Sequence, residues 1–349
     1  MNRSSHVSFD PFRMLAAMLA GCVVVAACGT STSVAGEPPV ATTTAAAPDD
    51  SDGSGTPPEV APRTSTDGED SDLQLLAHRG VHQTFGRDGV DDQTCTATRI
   101  DRPTHDYLEN TLRSMEAAFA AGATVVEIDI APSSDGVLAV FHDWTVECRT
   151  EGSGEIRSHT WDELSKLDVG YGYTADGQTY PFRGQGVGLM PRLEDVFEAF
   201  PEAQFLINFK SDDPSEALLL QEVVEREDAA AQVWAVYGAP VAVQTYVSNT
   251  DTRGFSEASI RACLSEYVAA NGGASALHAC EDTVVVVPLD IAPLLTGWPN
   301  EFIATMSEHG SDVVIVGPGG TGIDTKADLD DLPKGLSIYV WTDQIEAIT

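Results

Sequence analysis

Residues Gly122–Thr145 read GATVVEIDIAPSSDGVLAVFHDWT, and this stretch decides how the chain is built. Thr124–Ile130 is a run of β-branched and aliphatic residues broken by two carboxylates, Glu127 and Asp129. Its near-continuous apolar character predicts a strand buried on both faces, the pattern of a parallel sheet covered by helices. Side chains alternate along a strand, so Glu127 and Asp129 share one face. Two like charges in an apolar setting repel each other and lose hydration, and a cation is needed to offset both effects. A turn at Ser134-Asp135-Gly136 leads into a second apolar strand, Val137–Asp143, which ends in His142-Asp143. A candidate metal site and a candidate acid–base histidine therefore belong to one strand–turn–strand unit.

On the N-terminal side, the short apolar strand Leu73–Ala77 runs straight into His78-Arg79-Gly80. A polar loop, Val81–Asp106, separates it from a helix capped by Asn110 or Thr111, with Leu112, Met115 and Phe119 inward and Gly122 as its stop. On the C-terminal side, residues 145–188 are rich in Gly and polar residues and hold one short helix, announced by the Thr160/Glu163 capping box. This segment reads as an insertion over the site. Beyond it, a helix at about Leu193–Phe200 leads to the strand Gln204–Lys210, and Asp213, Pro214 and Glu216 open a helix to Glu227. Val233–Gly238 is the next strand, and Thr252–Ser256 a short one before the helix Glu257–Ala270. Val241–Val247 stays ambiguous, with strand composition where a helix is wanted. Thr283–Asp290, Asp312–Gly317 and Ser337–Thr342 are clear strands, separated by helical stretches near Glu301–His309 and Lys326–Leu332.

Strand starts at Leu73, Thr124, Gln204, Val233, Thr252, Thr283, Asp312 and Ser337 number eight. Alternation with helices makes the fold class α/β, a (β/α)8 TIM barrel over residues 73–349 with a small insertion, about 145–188, after the second strand unit. The polar residues His78, Asp129, Lys210 and Thr342 fall at strand C-termini, where such barrels carry their sites.

The formal net charge is −35, from 54 acidic and 19 basic residues. That excess argues against nucleic acid, whose phosphates need Lys and Arg, and against an electrostatic hold on anionic lipid. It speaks for solubility. No protein partner is evident. At the N-terminus, Arg3 and Arg13 precede the apolar run Met14–Ala27, too short to span a bilayer comfortably, so residues 1–27 read as an export signal. Val25-Ala26-Ala27-Cys28 resembles a bacterial lipoprotein signal, in which the cysteine is lipidated. Leu19-Ala20-Gly21-Cys22 competes, but polar residues follow Cys28 whereas Cys22 is followed by an apolar run. Residues 28–72, rich in Pro, Thr, Ser and acids, are expected to be a disordered tether. The expected placement is exported and lipid-anchored on the extracytoplasmic face of the cell membrane. Cys95, Cys148, Cys263 and Cys280 remain, allowing two disulfides in three pairings. Proximity in sequence favours Cys95–Cys148 and Cys263–Cys280, and the spacings do not resemble a zinc site.

HRG at 78–80, EN at 109–110, ExD at 127–129, HD at 142–143, the strand-end Lys210 and WT at 341–342 together resemble the glycerophosphodiester phosphodiesterase family. The resemblance runs from about Leu73 to the C-terminus. It implies a TIM-type barrel related to the phosphatidylinositol-specific phospholipases C. It also implies a divalent cation, Mg2+ or Ca2+, and hydrolysis of small glycerophosphodiesters to sn-glycerol 3-phosphate and an alcohol. By the same resemblance, His78 and His142 serve as acid and base, and Arg79 and Lys210 hold the phosphate, chemistry these groups suit. Trp341 lines the pocket, Glu127 and Asp129 hold the metal, and Glu109 contributes to the metal site or orients the basic groups. One position departs from the pattern. The family carries Glu two residues before this lysine, where Asn208 stands here; an amide oxygen still ligates Mg2+ or Ca2+, with one charge less.

Two further readings stay open. A related phospholipase of C or D type would act on intact lipid, and an exposed apolar rim around Leu294, Leu295 and Trp298 would favour it. A barrel that binds phosphodiesters without cleaving them is the other, and Asn208 is its ground. A glycosidase is disfavoured, because Glu127 and Asp129 are same-face neighbours too close to flank a scissile bond. Gly317–Gly322 (GPGGTG) fits a dinucleotide fingerprint in form, yet Asp324 and Thr325 interrupt where a helix should open, and it reads as a loop on the site's face. His82, His105 and His159 lie in loop sequence and are expected to be solvated.

Overall fold

The computed structural model describes residues 73–90, 94–273 and 277–349. The signal, Cys22, Cys28 and the tether read from residues 1–72 lie outside them. The strands are β1 (Leu73–His78), β2 (Ala123–Pro132), β3 (Leu138–Val140), β4 (Gln204–Phe209), β5 (Val233–Gly238), β6 (Gly254–Phe255), β7 (Val284–Pro288), β8 (Asp312–Val316) and β9 (Ile338–Thr342). Eight of them run parallel in the order β6-β5-β4-β2-β1-β9-β8-β7. The hydroxyl of Thr283, just before β7, donates to the Gly254 carbonyl of β6 at 3.0 Å and draws the two ends of the sheet together. The result is a nearly closed TIM-type barrel, with β3 as an antiparallel partner of β2 outside the parallel set.

Along β2 every residue from Val125 to Ile130 is fully buried. Val126, Ile128 and Ile130 pack with Phe205, Ile207 and Phe209 in one apolar layer, while Val125 packs with Leu76 and Leu206 in another. Alternation puts Glu127 and Asp129 on the Val125 side, with no apolar partner there to satisfy them. Each buried aliphatic side chain contributes about 1.5–3 kcal/mol, and that surrounding layer is what holds the two carboxylates out of water.

The helices that matter for the site are short and well capped. In α1 (Leu112–Ala120) Thr111 accepts from Ser114 N and Ser114 returns a bond to the cap, while Met115 and Ala118 are buried. In the insertion, α2 (Trp161–Leu164) has the capping box of Thr160 and Glu163. Next come α3 (Leu193–Ala199) and α4 (Pro214–Arg226), the latter capped by Asp213 with Pro214 in its first turn. The ambiguous segment is α5 (Pro240–Val247): Pro240 presets its first turn, and Ala242, Val243 and Tyr246 form the buried face. Four more follow in α6 (Glu257–Ala269), α7 (Asn300–Glu308), α8 (Lys326–Asp330) and α9 (Ile345–Ile348).

Both sequence-favoured disulfides are present, Cys95–Cys148 and Cys263–Cys280. The first joins the loop after β1 to the insertion. Ala97, Ile100 and Leu108 from that loop pack with Val146, Ile156, Leu164 and Phe182 of the insertion in a small core of their own. This cap sits beside the HD turn that leaves β3.

Candidate active site

His78 closes β1 and pairs across the sheet with Glu127, while Asp129 pairs with Asn208 and Asn208 with Tyr237. Parallel register thus lines polar side chains along one rim. After His78 the chain turns sharply: Arg79 and Gly80 have φ of 58° and 75°. A Cβ on Gly80 would lie 2.6–2.8 Å from atoms of Ser114, so only glycine lets the turn close onto α1. A left-handed Arg79 costs on the order of 1–3 kcal/mol. Its fixed position is what that strain secures: its N–H donates to the Glu127 carbonyl at 3.0 Å, and its guanidinium lies between Glu109 Oε1 (3.2 Å) and Asp129 Oδ2 (3.3 Å).

Asp129 is fully buried and has no free oxygen. Lys210 Nζ (2.8 Å) and Asn208 Nδ2 (2.9 Å) reach Oδ1, and Asn110 Nδ2 reaches Oδ2 at 2.9 Å. Burial opposes its charge, yet Lys210, with His142 and Arg79, outweighs burial and holds the carboxyl well below the usual range. Glu127 accepts from Tyr237 Oη at 2.8 Å and from Arg79 N at 3.2 Å. Burial, reinforced by the charge on Asp129, pushes its carboxyl up to about 8. Protein cations gather on Asp129 and leave Glu127 short of positive charge.

Each of the two expected histidines has a carboxylate on Nδ1. His78 Nδ1 lies 2.6 Å from Asp343 Oδ1, and His142 Nδ1 lies 2.6 Å from Asp143 Oδ1. A carboxylate there keeps the ring proton on Nδ1 and leaves Nε2 with the lone pair. Burial, then the charge of Arg79, lowers His78 to about 3 and His142 to about 4, so both rings are neutral at pH 7. Trp341 is buried and packs 4.9 Å from the His78 ring, forming the wall behind that histidine.

Of the two roles the resemblance implies for Glu109, the ion pairs match the orienting of basic groups. Arg79 stands between Glu109 and Asp129, and Glu109 Oε2 takes Arg149 at 3.1 Å and the Tyr173 hydroxyl at 3.4 Å. Burial would raise its carboxyl, but Arg149 and Arg79 hold it well below normal. Arg149, 2 % exposed, continues to Asp143, the partner of His142, and to Thr96 beside the disulfide. A chain of ion pairs therefore runs from the cap to both histidine strands.

The oxygen donors Glu127 and Asp129, with Asn208 once its amide turns its oxygen inward, suit a hard cation such as Mg2+ or Ca2+. Among the described residues, the group of three His, Asp or Glu whose ligand atoms converge is a different one: His78, His82 and Asp343. His82 is 2 % exposed, not solvated as expected, because the Arg79-Gly80 turn carries the chain back under α1, where Val81 N donates to Ser114 O at 3.0 Å. His105 and His159 remain partly exposed. Residues 317–322 form a short turn with no helix opening at Gly322, as the loop reading requires. The apolar rim that would favour a phospholipase is discontinuous: Leu294 is 66 % exposed, but Leu295 is buried and Trp298 packs against Phe302.

Asp343, Arg149 and Tyr237 belong to none of the site motifs in the sequence, and the loop sequence around His82 pointed to solvent. A carboxylate one residue past a barrel strand was the available signal for Asp343, since that is where such sites are built. Nothing in sequence pointed to Tyr237, which reads as one more aromatic in an apolar run.

Residues 101–266 match the Glycerophosphoryl diester phosphodiesterase family. The glycerophosphodiester phosphodiesterase of Caldanaerobacter subterraneus subsp. tengcongensis is 35% identical over 102 residues, 29% of this chain and 39% of that protein. Its namesake from Bacillus subtilis is 36% identical over 109 residues, 30% of this chain and 36% of that protein. The chain thus spans about two-fifths of the length of these relatives. The same barrel occurs in the glycerophosphoryl diester phosphodiesterase domain of a Mycobacterium tuberculosis protein, with a TM-score of 0.56 at 19% identity, covering 78% of this chain and 97% of that one. It occurs again in an Oleispira antarctica phosphodiesterase in complex with the product sn-glycerol-3-phosphate, with a TM-score of 0.51 at 19% identity over 79% and 94% of the two chains. The sequence match to that family covers residues 101–266, and the shared barrel shows the fold.

Proposed function

We propose that this chain is a glycerophosphodiester phosphodiesterase that hydrolyses small phosphodiesters to sn-glycerol 3-phosphate and an alcohol. The carrying observation is the pair of imidazoles, each with Nδ1 on its own aspartate, at the rim that also bears Arg79 and Lys210. Arg79 and Lys210 supply positive charge for the phosphate oxygens, the first as a planar fork and the second as a mobile point charge. One histidine accepts a proton at Nε2 from the attacking water. The other protonates the leaving oxygen as its bond to phosphorus breaks, which balances the proton count. The anionic substrate raises the basicity of a neighbouring imidazole and so helps to charge the acid. Asp143 and Asp343 stabilise whichever imidazolium forms. Glu127, Asp129 and Asn208 would hold a divalent cation, which neutralises phosphate charge when bound.

The discontinuous apolar rim favours a soluble diester over intact lipid. Export and lipid anchoring through Cys28 belong to the same proposal, with the two disulfides agreeing with an oxidising compartment. The test is release of glycerol 3-phosphate from glycerophosphocholine by chelator-stripped protein, before and after Mg2+ or Ca2+ is restored. Release that returns with either ion supports the proposal. No release with either ion, from this or from glycerophosphoethanolamine, refutes it.

A further inference from the structure

We propose that His78, His82 and Asp343 form a second metal site, of borderline-soft character, that takes Zn2+ and thereby silences His78. Their ligand atoms lie within 4.8 Å of one another. His82 Nδ1 is 3.0 Å from its neighbour's carbonyl, Gln83 O, so that nitrogen carries the ring proton and Nε2 holds the lone pair. This Nε2 is buried, has no hydrogen-bond partner, and lies 3.9 Å from Asp343 Oδ1. An acceptor left unsatisfied in the interior destabilises the fold, and a cation between these atoms relieves it. Asp343 offers one oxygen only: Arg87 takes Oδ2, while Oδ1 faces both histidines. A cavity of about 170 Å3 lined by His82, Arg87, Asp324 and Asp343 gives access from solvent.

Ligand chemistry separates this site from the carboxylate pair on β2. Two imidazoles and one carboxylate suit Zn2+ or Co2+, whereas Glu127, Asp129 and Asn208 offer oxygen alone and suit Mg2+ or Ca2+. The consequence for catalysis rests on the proposed function. When His78 Nδ1 gives its lone pair to the metal, the single ring proton moves from Nδ1 to Nε2. No proton is released, and the nitrogen that faces the reaction can no longer accept one. Zinc at this site is therefore inhibitory, while a hard cation on β2 is supportive.

The full chain, stripped of metal, is titrated with Co2+ and followed by the visible absorption of a low-coordinate cobalt complex. One equivalent should give an intense band that Zn2+ displaces. That band should vanish in His82→Phe and in the near-isosteric His82→Gln, both checked for folding by circular dichroism, and persist in Glu127→Gln. Absence of a band, its survival in both folded His82 variants, or its loss in Glu127→Gln alone overturns the site. In the hydrolysis assay, His82→Gln should keep the wild-type rate without zinc and need at least tenfold more Zn2+ for half-inhibition. Equal zinc sensitivity in His82→Gln and wild type overturns the inhibitory role. If no hydrolysis is seen at all, the function is refuted, and the cobalt band judges the site independently.

Discussion

Arg149→Met removes the cation that ties the cap to the rim. Arg149 is 2 % exposed and bridges Glu109 and Asp143, with Thr96 Oγ1 3.1 Å from its second nitrogen. Breaking a buried pair by deleting one partner costs about 3–5 kcal/mol, because the remaining charge stays buried. Glu109 keeps Arg79 and Asp143 keeps His142, so the lower half of that range, about 3 kcal/mol, is expected. Urea unfolding followed by circular dichroism measures it directly. Glu109→Gln in the Arg149→Met background removes the stranded charge and should recover at least 1 kcal/mol of the loss, a coupling of the size contacting residues show. Activity should fall roughly 10–100-fold, since a loosened Asp143 no longer fixes His142 for proton transfer. A stability loss below about 1 kcal/mol with unchanged turnover would refute the reasoning, because a buried bidentate cation cannot be both structural and dispensable.

Other consequences follow from the same geometry. Replacing Cys95 and Cys148 together by Ser opens a loop with a sequence separation of 53. This should lower unfolding free energy by about 4 kcal/mol in the chain-entropy model, with turnover falling as Arg149 loosens; unchanged urea midpoints would contradict it. Asn208→Glu puts a third carboxylate beside Asp129 and should lower the Mg2+ concentration for half-activation roughly tenfold, while lowering the melting temperature in chelator. Equal half-activation would show that position 208 does not reach the ion. His142 is near 4 when folded, against 6.5 in an unfolded chain. Between those values the unfolded state binds more protons, so this residue's contribution to stability is complete above about pH 6.5 and is lost as pH falls toward 4. His142→Asn should therefore flatten the decline in stability between pH 6.5 and 4 relative to wild type, as measured by urea titration at each pH.

The barrel was legible because parallel strands are buried on both faces and declare themselves as apolar runs. All eight strand starts read from sequence correspond to barrel strands, even Gly254–Phe255, a strand of only two residues. Val241–Val247 stayed ambiguous since β-branched residues suit either state, and it was its position between two parallel strands that required a helix. Local motifs gave His78, Arg79, Glu127, Asp129, His142 and Lys210, which the structure gathers on one rim. What was not legible is long-range: Asp343 meets His78 across 265 positions, and Tyr237 meets Glu127 across 110. The burial of His82 was hidden for the same reason, since it follows from a left-handed turn against α1 rather than from its polar neighbours. The resemblance left Glu109 open between the metal site and the basic groups, and only Arg149, brought in by the insertion, shows how its charge is paired.

Phosphorus NMR of glycerophosphocholine incubated with the full chain and Mg2+ or Ca2+, beside His142→Ala and His78→Ala, tests the central claim most directly. The wild type should convert the diester resonance to that of glycerol 3-phosphate, with rates at least 100-fold lower in each variant, the scale of lost acid–base catalysis. Conversion that persists undiminished in either histidine variant, or a diester resonance that never changes with the wild type, would contradict that claim.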